Sequence, residues 1–209
     1  MCSTRLAFIA KVNSYMSANI PTSRAEAYDI CHGQFVTGIT TGGAINYDNL
    51  ALHLYAFLAS WGMVRGNSIL LQHNYTVLIP VVKVVCDKKY SSLLDVDVFS
   101  GSFNKSTYIT LMMELKNSLA KALFGRNAKY TDDTLLSKIA LVSLGCVVGY
   151  DSRVKASLKS LGYAKSFSKK GLGDLLNFAN TYKADIKTLQ AKYSNFNYSV
   201  MKICDCALF

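Results

Sequence analysis

Tyr47-Asp48-Asn49-Leu50-Ala51-Leu52-His53-Leu54-Tyr55-Ala56-Phe57-Leu58-Ala59-Ser60-Trp61-Gly62-Met63-Val64-Arg65 is the stretch that decides how this chain is read. It offers no helix breaker before Gly62. Asp48 stands near its N-terminus, and Gly66 follows as a stop. Its apolar residues lie nearly all round a helical wheel, which predicts a helix running through the middle of a fold. The apolar run from Leu50 to Val64 includes His53, Ser60 and Gly62. It falls short of the about 20 apolar residues that span a bilayer, so a buried core helix is expected and no membrane partner.

Working outward, the pattern stays helical. Leu6, Ile9, Ala10, Val12 and Met16 fall close to helical spacing over 4–18. Pro21 opens a second helix, capped by Thr22 or Ser23 with Glu26 in its first turn, ending near Cys31-His32-Gly33. The glycine-rich stretch 38–44 lacks the Gly-Lys-Ser/Thr ending of a phosphate loop and reads as a connector. Residues 75–86 carry a β-branched run with Pro80 in the middle, which fits either an edge strand or a kinked helix. Residues 93–103 read as a loop. Helices are expected over 106–123, 131–145, 152–161, 169–182 and 185–193, stopped in turn by Gly125, Gly145 and Gly162 for the first three.

With 51% hydrophobic residues, 17% charged residues and two prolines in 209, the composition excludes disorder. The fold class expected is mainly α: a single compact helical domain over 1–209, with a buried central helix, a short β element at most, and a seam near 95–105. The six cysteines sit among apolar residues, as buried reduced thiols do. Cys204-Asp205-Cys206 is too tight for a zinc knuckle, so no metal is called for. The opening residues break off at Lys11 before forming a secretory signal, which points to a reducing cytoplasm.

Charge is lopsided. Residues 1–100 hold 7 of the 23 Lys/Arg and 6 of the 13 Asp/Glu, and the second half therefore carries +9 of the net +10. Such a field attracts polyanions. Within it, Lys165, Lys169, Lys170, Lys183 and Lys187 interleave with Phe167, Tyr182, Tyr193, Phe196 and Tyr198. Lysines neutralise phosphates and exposed rings stack on bases, so these lysines, with Arg153, Lys155 and Lys159, are the expected nucleic-acid-binding residues. An acidic protein surface would suit the same charges, as for an inhibitor of a nucleic-acid-processing complex.

Acid–base residues are scarce: two glutamates and three histidines, with no metal-binding helix, nucleophile elbow or kinase signature. No cofactor is called for. Two segments stand out. Ala59–Gly66 holds the only Trp and one of five arginines, Arg65, which fits either a helix-capping role or a phosphate. Gly149–Gly162 places Asp151 at the start of a short basic helix ending in Leu161-Gly162.

The second segment resembles the aspartate-bearing helix of helix-hairpin-helix DNA glycosylases. The resemblance covers about 14 residues and implies that Asp151 is catalytic. In that role Asp151 is expected in a pocket shaped by Tyr150 and Arg153, within reach of Trp61 or Arg65, with Lys155 holding a phosphate. That family places a glycine-rich hairpin just upstream, whereas Thr131–Leu144 contains neither glycine nor proline. The Ala-Ser-Trp-Gly-Met-x-Arg-Gly segment at 59–66, with Tyr150-Asp151, is also similar to an uncharacterised family of bacterial and mobile-element proteins. That likeness implies a bacterial or phage setting in regulation or defence, and no activity.

Overall fold

Asp133–Leu144 (α7) is the axis of the fold. Every residue from Leu135 to Leu144 is buried, and burial continues through 145–150. The structure is a computed structural model describing residues 2–125 and 132–209, with side chains from Arg5 onward. Thr131, the expected start of this helix, lies outside the described residues. Asp132 caps α7, accepting from Thr134 N (3.0 Å) and Leu135 N (3.1 Å). Its polar residues are satisfied internally. Ser143 donates to the Ile139 carbonyl at 2.6 Å, and Ser137 Oγ accepts from Tyr150 N at 2.8 Å.

A second buried helix, Val200–Leu208, lies nearby. The preceding elements are α1 (Cys2–Ala18), α2 (Glu26–Thr40), α3 (Tyr47–Ser60), α4 (Ile69–Gln72), α5 (Ile79–Val85) and α6 (Lys105–Phe124). After α7 come α8 (Ser152–Ser160), α9 (Lys169–Thr181), α10 (Lys183–Lys192) and α11, the Val200–Leu208 helix. Among the described residues there is no strand. α7 packs against α2, α3, α5 and α6, while α11 packs against α1, α8, α9 and α10. Two bonds join these groups across 145–150: Ser199 Oγ donates to the Gly145 carbonyl (2.6 Å) and Gly149 N donates to Asp205 Oδ1 (2.8 Å). Core side chains from Phe8 to Leu208 form one cluster.

Several expectations change here. The central burial expected of 47–65 falls instead on α7 and α11. α3 buries Leu50, Ala51, Leu54, Phe57 and Leu58, but Leu52 is 49% exposed and the helix ends at Ser60. Residues 75–86 are helical: a 3-10 turn over Tyr75–Leu78 leads into α5, where Pro80 sits in the first turn and no helical N–H is lost. α2 starts at Glu26 and runs past Gly33 and Gly38 to Thr40, so the connector is only 41–46. A Cβ at Gly38 would lie 3.3 Å from Leu50 Cδ1, so this glycine lets α2 and α3 approach closely. α11 has no counterpart among the expected helices.

Among the described residues the cysteines are unbridged; Cys31, Cys146, Cys204 and Cys206 are buried and Cys86 is half-buried. Burial pushes every one of these thiols up, Cys86 to about 11 and Cys206 to about 12. At pH 8 only on the order of 0.1% of Cys86 is thiolate, and less of the others. Iodoacetamide labelling with peptide mapping is therefore expected to modify Cys86 first among these five and to leave the other four untouched until the chain is unfolded.

Candidate functional site

At the end of α3 the chain turns sharply. Gly62 adopts φ +70°, Gly62 N donates to the Ala59 carbonyl (2.9 Å), and Met63 N donates to the Leu58 carbonyl (2.8 Å). This is a Schellman turn, which accounts for the glycine. It sets Trp61 on one wall of a cleft and lets the chain return with Arg65 on its rim. The facing wall is the start of α8, with Asp151 and Arg153. Thr134 and Lys138 of α7, Arg24 and Phe209 complete a cavity of about 500 Å3.

The cleft is cationic and its cations rest on rings. The Arg24 guanidinium lies 4.4 Å from the Trp61 ring centre and Lys138 Nζ 5.0 Å from it. The Arg153 guanidinium lies 4.5 Å over Phe209, whose ring meets Trp61 edge-on at 5.4 Å. Among the described residues, Arg24, Arg65 and Arg153 have no carboxylate within ion-pair distance. Asp151 is the one acidic side chain among the residues lining the cleft. Its Oδ1 caps α8, accepting from Arg153 N (3.0 Å) and Val154 N (3.1 Å), and its Oδ2 pairs with Lys138 Nζ at 3.2 Å.

Below lies a chamber of about 10 Å3, which Trp61, Lys138, Asp151 and Phe209 share with the cleft. That is room for about one water. Its inner wall is a buried charge pair. Lys202 Nζ donates to Tyr15 Oη (3.0 Å), stands 3.5 Å from Asp205 Oδ2, and lies 4.2 Å from the Tyr28 ring centre. Burial pushes the Asp205 carboxyl up, against the opposing pull of Lys202 and the Gly149 N–H. Burial also pushes the Tyr28 phenol up, so it is a neutral hydroxyl. Tyr28 Oη and Trp61 Nε1 are buried polar atoms without a protein partner.

Of the residues singled out in the sequence, the fold brings Trp61, Arg65, Asp151 and Arg153 together. Lys155 reaches the edge of this group, donating to Thr134 Oγ1 at 3.2 Å. Tyr150 is not on the cleft: it is fully buried, stacked on Phe167 at 5.9 Å, because the buried 145–150 segment carries it inward. Lys159, Lys165, Lys169, Lys170, Lys183 and Lys187 are exposed and stand off the cleft; Lys170 pairs with Asp174 at 2.7 Å. The interleaved aromatics are not an exposed stacking surface. Phe167 and Tyr198 are buried, Tyr182 stacks on Phe8 at 4.4 Å, and Tyr193 donates to Asn13 at 2.7 Å. Arg24, Lys138 and Phe209 escaped sequence reading. Lys138 alone left a signal, as a single cation inside the apolar run of α7.

A second cleft, of about 590 Å3, has the opposite character, lined by Glu26, Asp29, Asp95 and His32. His32 faces the Val142 carbonyl with Nδ1 (2.9 Å) and Asp95 with Nε2 (3.1 Å), tying α2 to α7. Among the described residues no group of three His, Cys, Asp or Glu side chains stands close enough to hold a metal, and no helix is long and apolar enough to cross a membrane. No protein-family model matches this sequence, and no curated protein or solved structure is significantly similar to it.

Proposed function

We propose that the protein binds nucleic acid and that the cleft beside Trp61 seats a phosphate. One observation carries this reading. Three of the chain's five arginines, at positions 24, 65 and 153, converge on one cavity, although lysines outnumber arginines 18 to 5. Arginine presents a planar fork that matches phosphate oxygens bidentately. Two of the three lie over aromatic rings, which leaves them less to lose in entropy on binding. The exposed lysines of α8, α9 and α10 add long-range attraction without sequence preference. Asp151 has both carboxylate oxygens engaged, so in this reading it positions Arg153 and Lys138 and attacks no sugar.

The only Trp lies in the cleft, so its fluorescence reports a ligand's arrival. A single-stranded oligonucleotide titrated at 50 mM salt is expected to change that emission, with affinity falling steeply toward 200 mM. The triple variant Arg24→Ser/Arg65→Ser/Arg153→Ser is expected to bind about 100-fold more weakly and to lose about 0.7 from the log–log salt slope, the share of one phosphate contact on a single strand. Charge reversal at Lys169/Lys170 or Lys155/Lys159 should weaken binding less. Absence of any oligonucleotide binding at 50 mM salt, by anisotropy as well as by Trp emission, would overturn the proposal.

A further inference from the structure

We infer that the cleft selects a terminal phosphomonoester, the phosphorylated end of a nucleic-acid strand, over the internal phosphodiesters of its backbone. The inference rests on the nucleic-acid reading above and specifies which part of the strand is seated.

Charge carries the inference. Among the side chains lining the cleft, four cations, Arg24, Arg65, Arg153 and Lys138, stand against one acidic side chain, Asp151. An internal diester carries one negative charge. A terminal phosphate carries about −1.5 to −2 at pH 7 and comes nearer to neutralising the site. The donor count agrees. A diester offers two non-bridging oxygens, which one bidentate guanidinium satisfies. A terminal phosphate offers three, enough to engage all three arginines, each in charge-assisted bonds that are stronger than neutral ones.

The test uses the full chain and four probes at 150 mM salt. These are a single-stranded 12-mer with a 5′-phosphate, the same 12-mer with a 3′-phosphate, the same 12-mer with hydroxyls at both ends, and adenosine monophosphate. At least one phosphorylated end should bind about 10-fold more tightly than the hydroxyl-ended strand, and more tightly than the mononucleotide, which lacks the strand that the surrounding lysines attract. Arg65→Gln, an exposed position, should reduce the phosphorylated strand to the hydroxyl strand's affinity with unchanged thermal unfolding; Arg153→Gln should do the same independently. Equal binding of all three strands, with its salt dependence intact, overturns the end selectivity and leaves nucleic-acid binding standing. A mononucleotide as potent as the phosphorylated strand overturns the assignment to a strand end. Failure of every probe at low salt overturns both readings together.

Discussion

Lys202→Ala is expected to destabilise the protein by about 3–5 kcal/mol, measured by urea unfolding, because it strips the partner from a buried carboxylate. Lys202 is 1% exposed and Asp205 9% exposed. Without the ammonium, Asp205 keeps only the Gly149 N–H. The double variant Lys202→Met/Asp205→Asn removes both charges and keeps the side-chain volumes, and it should recover much of the loss. The pH dependence has a definite sign. Burial raises the Asp205 pKa in the folded state. Its contribution to stability is therefore full below the unfolded carboxyl's pKa and is lost as pH rises through the higher folded value. Lys202→Ala removes the main opposing influence, so the variant should be least impaired in acid and most impaired at neutral pH.

Gly171→Ala should cost roughly 2–4 kcal/mol, an outsized effect for one methyl group. A Cβ there would fall 2.0 Å from the Ser166 carbonyl oxygen and 3.3 Å from the Tyr150 hydroxyl. The first is backbone and cannot swing aside. The chain folds back on itself at 166–168 so that Ser168 can cap α9, accepting from Gly171 N at 3.1 Å. Gly173, two residues on, has nothing within 4 Å of its would-be Cβ. Gly173→Ala should stabilise by about 0.5–1 kcal/mol, since alanine restricts the unfolded chain and favours the helix. The opposite signs, read from the same thermal melts, separate a local clash from a general intolerance of α9.

The sequence made most of the helices readable, and the reason is local chemistry. Asp132, Asp151 and Asn104 cap the helices that follow them, and Gly125, Gly145 and Gly162 end or follow the corresponding segments. Where tertiary packing overrode local preference, the reading failed. Gly33 and Gly38 look like breakers, but α2 continues through both because Leu50 packs against Gly38. α11 hid behind Lys202 and Asp205, two charges that a surface helix would carry and that here neutralise each other in the interior. The central axis was misplaced because Ser137, Lys138 and Ser143 made α7 look less buried than 47–65.

The site was legible in halves. Trp61 and Arg65 stood out by rarity, and Asp151 and Arg153 by their place at a helix start. Nothing in the sequence could show that these halves share one cleft, or that Arg24 and Phe209 join them, because that convergence is created only by packing α8 and α11 against the rest. The aromatic–lysine alternation failed for a related reason: at helical spacing its rings turn into the core while its lysines turn out.

The bond between Tyr15 and Lys202 closes a loop of 187 residues, and this gives folding an order in time. Capped helices form within about a microsecond, whereas bringing together segments this far apart carries a loop-closure entropy that grows with length. During synthesis, residues 200–208 emerge after every helix they cover. Until they arrive, the apolar flanks of α1, α8, α9 and α10 have no lid, and the nascent chain is exposed to chaperones and proteases. Docking of α11 buries the Lys202–Asp205 pair, whose charges are costly to hold half-hydrated, so a partly docked α11 is disfavoured.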